Sequence, residues 1–129
     1  MNRETEYRGK RVDTGKWIYG SLIQSENHSY IALMVDDMSR LPKLTTLSWE
    51  VIPSTVGEWT GLLDKNGVKI FEGDILDKKY RWEVVFIDGA FWARSHRTVI
   101  NIAELQKKRL LAGIPIEVIR SIHDTEEQA

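Results

Sequence analysis

Short apolar runs punctuated by turn-forming residues succeed one another along most of this chain, a pattern of strands rather than helices. Gly9 to Val12 leads into the turn Asp13-Thr14-Gly15-Lys16, and Trp17 to Ile23 follows. Ser25-Glu26-Asn27-His28 breaks the chain before Tyr30 to Val35, so these three runs read as a meander. A polar loop containing Asp36, Asp37, Arg40 and Pro42 precedes a further strand expected from Leu44 to Ile52, which Pro53 ends because proline cannot donate to a ladder.

The second half repeats the theme with clearer turns. Trp59 to Leu63 precedes Asp64-Lys65-Asn66-Gly67, where Asn-Gly supplies the positive φ values of a tight hairpin. Val68 to Phe71, the turn Glu72-Gly73-Asp74 and the strand start Ile75-Leu76 come next. Trp82 to Ile87 and Ala90 to Ala93 flank Asp88-Gly89 as a hairpin, with Trp82, Val84 and Phe86 alternating onto one face. Turns about every 8–12 residues are the rhythm of a small barrel or sandwich. One segment departs from it. Asn101 with Glu104 forms a capping box, Ile102, Leu105 and Leu110 share a helical face, and Gly113 and Pro115 stop the helix, predicted over Ile102 to Ala112. A closing strand is expected from Ile114 to Ile122, and a frayed tail from Thr125 to Ala129.

Composition narrows the function classes. The 129 residues suit one ordinary domain or two small ones, and 42% apolar with 29% charged residues excludes a disordered or fibrous chain. The absence of cysteine excludes a disulfide scaffold, a thiolate zinc site and a cysteine nucleophile. No apolar core follows Arg3, and no run approaches the ~20 residues that span a bilayer, so a soluble cytoplasmic protein without a membrane partner is expected. Five tryptophans are conspicuous in a chain of this length. They fall on or beside predicted strands, where packing is their simplest role.

Enzymatic chemistry finds little support. No Gly-x-Ser-x-Gly elbow occurs, and His28, His96 and His123 lie far apart with no helical zinc-ligand spacing. Asp64-Lys65-Asn66-Gly67 fails as a calcium loop, because Val68 occupies the fifth position and the glycine comes too early. Glu72 and Asp74 form a carboxylate pair that could serve a hydrolase, as could Asp36-Asp37, but turn chemistry explains the first pair and solvation the second. No cofactor is expected. Charge is more informative. The chain carries a net −1, yet residues 78 to 109 hold eight basic and three acidic side chains, a net of +5. Lys78, Lys79, Arg81, Arg94 and Arg97 are the candidate nucleic-acid contacts, with Trp82 and Trp92 among them as rings suited to stacking.

The stretch Thr60-Gly61-Leu62-Leu63-Asp64-Lys65-Asn66-Gly67-Val68-Lys69-Ile70-Phe71-Glu72-Gly73-Asp74-Ile75-Leu76 resembles the signature of the YopX family of bacteriophage and prophage proteins. Tyr7 to Lys10 with Gly15 to Gly20, and Ile116 to His123, resemble that family's opening and closing blocks, although Arg120-Ser121 stands where Gly-Asn is usual. The resemblance implies a phage-derived β-rich protein with an SH3-like small barrel in its C-terminal part, and implies no activity. Read physically, Gly61, Asp64, Asn66, Gly67, Glu72, Gly73 and Asp74 form a folding motif, with glycine at sharp corners and carboxylates accepting turn N–H groups.

The expected architecture is therefore mainly β, with a strand-rich N-terminal subdomain over 1–54, an SH3-like barrel subdomain over 55–129 and one short helix, the alternative being one continuous YopX-type domain over 1–129. The expected role is a non-enzymatic binding or assembly module, homo-oligomeric or engaging another protein. The alternative is a nucleic-acid-binding accessory protein using residues 78–109.

Overall fold

The computed structural model describes residues 5–33 and 47–124. Eleven strands and one helix occupy them: β1 (Tyr7–Lys10), β2 (Trp17–Ser25), β3 (His28–Ala32), β4 (Ser48–Val51), β5 (Gly57–Leu63), β6 (Lys69–Phe71), β7 (Asp74–Leu76), β8 (Trp82–Ile87), β9 (Ala90–Arg94), β10 (Val99–Asn101), α1 (Ile102–Leu111) and β11 (Val118–Ser121). All strand pairs are antiparallel, in the orders β4-β3-β2-β1-β5-β6 and β10-β9-β8-β7-β11. The protein is thus mainly β, as its periodicity indicates. The expected closed barrel is not seen among the described residues: the five-stranded ladder is open, with β10 and β11 at its ends. The described helix is not long and apolar enough to cross a membrane. The polar loop at Asp36, Asp37, Arg40 and Pro42, the start of the strand expected from Leu44, and the tail from Thr125 lie outside the described residues.

The chain divides into two compact units, 1–58 and 59–129, with the division inside β5. In the first unit, β1 is buried on both faces. On one face Arg8 and Lys10 lie over the Trp17 ring, 4.4 and 5.4 Å from its centroid. Register places them there, because Lys10 pairs directly with Trp17 and Arg8 with Tyr19. On the other face Gly9 meets the fully buried Val51. Gly20 on β2 is tighter still: a Cβ there would collide with the Ala32 carbonyl oxygen on β3. The Thr55 hydroxyl accepts from Lys10 N–H (2.9 Å) and donates to Ile52 O (2.6 Å), tying the 3-10 turn at Pro53–Thr55 to β1.

The second unit packs Ile70, Leu76, Trp82, Val84, Phe91, Ala93, Ile102, Leu105 and Ile116 into one core. The fully buried Ile70, Leu76 and Val84 each contribute about 1.5–3 kcal/mol. Ile70 and Phe71, neighbours on β6, are both buried. Phe86 keeps the alternation of β8 but not its burial. It pairs directly with the core residue Phe91, on the face of Trp82 and Val84, yet at the hairpin tip it is exposed, its ring tilted against Phe91 at 4.9 Å. The Asp88-Gly89 turn has positive φ at both residues, as a two-residue hairpin loop requires. Helix α1 starts where its cap predicts: the Asn101 side chain accepts from Ala103 N–H (3.0 Å) and Glu104 N–H (3.4 Å). The closing strand is shorter than expected, beginning only at Val118.

Two glycines separate close packing from backbone freedom. Gly20→Ala is expected to cost about 3 kcal/mol, the upper end of overpacking penalties, because a carbonyl on a paired strand cannot yield. Gly15→Ala, at φ +72° with open space around it, should cost only about 1–2 kcal/mol. Urea denaturation of the two variants beside the parent checks the order.

Candidate functional site: a cationic groove on the second unit

The signature residues build corners. Gly61, Gly67 and Gly73 all have φ between +80° and +93°, which glycine adopts without strain. Asp64 is buried, and its carboxylate accepts three backbone N–H groups: Asn66 (2.8 Å) and Val68 (2.9 Å) at Oδ1, and Val118 (3.0 Å) at Oδ2. It thereby closes its own turn and holds β11. Asn66 Nδ2 reaches Glu117 at 3.5 Å. Asp74, almost fully buried, accepts Phe71 N–H (2.8 Å) across the turn that holds the half-buried Glu72 and Gly73. Asp64→Ala is expected to cost about 3 kcal/mol or more by stranding three N–H groups, and Asp64→Asn less because one acceptor oxygen remains. Chemical denaturation of both variants measures the difference.

A third carboxylate, one the sequence pattern does not reveal, organises the loop between β7 and β8. Asp77 donates its N–H to Glu117 O (2.9 Å) and its carbonyl accepts Arg81 N–H (3.0 Å). Its side chain accepts Lys79 N–H (3.0 Å) and the Arg109 guanidinium (2.6 Å), with both partners of the ion pair largely buried. Arg109 also donates to Ile114 O at 2.7 Å, pinning the end of α1. Asp77 and Arg81 both have left-handed φ, +69° and +53°, so the bonds at Asp77 hold the loop in a conformation its residues do not favour. Burial opposes the Asp77 charge, but the N–H groups of Lys79 and Tyr80 and the Arg109 guanidinium outweigh it, leaving its pKa below the usual aspartate value. A depressed pKa stabilises the fold above the unfolded value, near 3.9, and the gain disappears as pH falls through the lower folded value. Melting curves should therefore show the parent losing stability below about pH 4 more steeply than Asp77→Asn.

That loop separates two concavities and thereby separates neighbouring candidates. Lys78 lines a cavity of about 360 Å³ with Lys65, Asp77, Arg109, Ile114 and Glu117. Lys79, Arg81 and Arg94 line an open groove of about 660 Å³ with Tyr80, His96 and Arg120. Arg97 is exposed and lines neither. Trp82 and Trp92 also stay out of the groove: Trp82 is core, and Trp92 is half-buried with its indole N–H on Ile87 O at 3.2 Å. Of the five basic candidates, three thus converge.

The groove floor is a single row across four strands. Arg94 on β9 pairs with Glu83 on β8, Glu83 with Ile75 on β7, and Ile75 with Arg120 on β11. Directly opposed residues share a face, and three strand spacings place the two arginine backbones about 14 Å apart. Arg120 reaches this row through a bulge: Val118 pairs with Leu76 and Arg120 with Ile75, leaving Ile119 as the extra residue. In unbroken register Ile119 would oppose Ile75 and Arg120 would turn to the opposite face. Four cations face one carboxylate here, and Arg94 holds that carboxylate only at 3.4 Å.

The remaining tryptophan faces carry cations of their own. Arg11 lies 5.3 Å over Trp49 and Lys69 lies 4.6 Å over Trp59, and these half-buried rings, like Trp17, do not line the groove. Among the described residues no group of three or more His, Asp or Glu side chains is placed to hold a metal.

An antiparallel β-protein, with glycine corners braced by carboxylates and an open cationic groove on one sheet, is the class these features define. Over residues 6–127 the chain matches the sequence profile described as YopX protein, and it belongs to the YopX family, which is of phage and prophage origin. No curated protein and no solved structure gives a significant match.

Proposed function

We propose that the chain is a non-enzymatic binding module and that its groove binds nucleic acid. The observation that supports this reading is the convergence of Lys79, Arg81, Arg94 and Arg120 on one open surface. A chain near neutrality has no global field to attract phosphate, so binding must come from local convergence, and register supplies it. The two arginine ends of the row suit an extended polyanion better than one compact anion. An SH3-like character for the second unit belongs to the same proposal, supported by five short antiparallel strands joined by tight turns.

Assembly through protein contacts is the second reading, favoured by Leu110, Leu111 and Ile114, which are exposed around the end of α1. Three side chains fall well short of the roughly 800 Å² per partner that a stable interface covers, so nucleic acid is preferred. Fluorescence anisotropy with labelled oligonucleotides tests it. With four phosphate contacts on a single strand, affinity should fall on the order of 50-fold between about 50 and 200 mM salt. Arg81→Ala with Arg94→Ala should weaken binding and flatten that slope by about 1.4. A chain that ignores both single and double strands at low salt defeats the proposal, and sedimentation of the same samples reads self-association directly.

A further inference from the structure

We infer that the groove takes single-stranded nucleic acid, with Tyr80 as the platform on which a base stacks; this rests on the nucleic-acid reading above. Three observations carry it. The cations line a concavity whose floor is a strand row, whereas base readout in a duplex's major groove uses a helix or ribbon that protrudes into it. A single strand instead lays its backbone along a charged groove and turns its bases onto rings. Two rings line the groove, Tyr80 and His96, and Tyr80 is the larger platform. It is 53% exposed and flanked in sequence by two of the groove's cations, with Lys79 Nζ 5.4 Å from its centroid.

The ring is also held in place. Tyr80 leans on Trp82, with centroids 6.1 Å apart and planes at 42°, and Trp82 is anchored in the core. The loop that carries it is fixed at Asp77 by the four interactions described above. A platform already held in place loses little freedom when a base arrives. Phosphate recognition and base stacking thus fall to different residues of one loop, Lys79 and Arg81 for charge and Tyr80 for the π face.

The two roles separate in one experiment on the full chain, using labelled single-stranded and duplex DNA of equal length. Tyr80→Ala and Tyr80→Leu should each weaken single-strand binding about ten-fold, and Tyr80→Phe should retain it, because stacking needs the ring and not the hydroxyl. The salt slope should stay at the parent value in all three, since no phosphate contact is lost. Duplex should bind more weakly than single strand and respond little to these variants. Tyr80 is exposed, so its variants should melt with the parent, and Tyr80→Leu preserves bulk should alanine disturb Trp82. Duplex binding equal to single-strand binding, or no loss with Tyr80→Leu, overturns the inference while leaving the nucleic-acid reading standing. Failure of the parent to bind either form overturns both.

Discussion

In the second unit the strands are too short to close their own corners, and carboxylates close them instead. β6, β7 and β10 each have three residues, which leaves many backbone donors at turns with no ladder partner. Asp64, Asp74 and Asp77 accept those donors at successive corners. A charged acceptor makes a stronger bond than a neutral one, and it costs more to leave such a donor stranded than the bond itself contributes. These corners set the directions of the strands that carry the core residues Ile70, Leu76 and Trp82. The groove depends on them too, because Asp64 positions Val118 on β11 and Asp77 fixes the loop bearing Lys79 and Arg81.

The first unit solves a different problem. Its β1 strand is buried on both faces although it carries Arg8 and Lys10. Placing the cations over the Trp17 ring gives their charge a favourable partner on that face, and glycine on the other lets Val51 come within van der Waals reach. The same device recurs at Trp49 and Trp59, so three of the five tryptophans serve as covers for basic side chains. The second unit keeps one unresolved cost: the indole N–H of Trp82 is buried without a hydrogen-bond partner among the described residues.

What the amino-acid pattern discloses divides along sequence separation. Asn66-Gly67, Asp88-Gly89 and the Asn101 cap are local devices whose partners lie within four residues, and each can be read from the chain directly. Asp77 cannot, because its partners Arg109 and Glu117 are brought to it only by the fold. Lys78 and Lys79 look interchangeable as neighbours in a basic run, yet the left-handed residue before them sends one to each side of the loop. Arg120 lies outside the basic stretch altogether and enters the groove by register. Phe86 shows the converse: alternation gives its face, shared with Phe91 by direct pairing, but not its exposure at the end of the strand.

The extra residue in β11 has a second effect. β11 is the last strand of its ladder, the kind of edge on which another chain can template a strand of its own. A bulge at Ile119 breaks the regular spacing of unpaired donors and acceptors along that edge, and β10 at the far end is only three residues long. The irregularity that turns an arginine toward the groove also makes the sheet a poor seed for edge-to-edge aggregation.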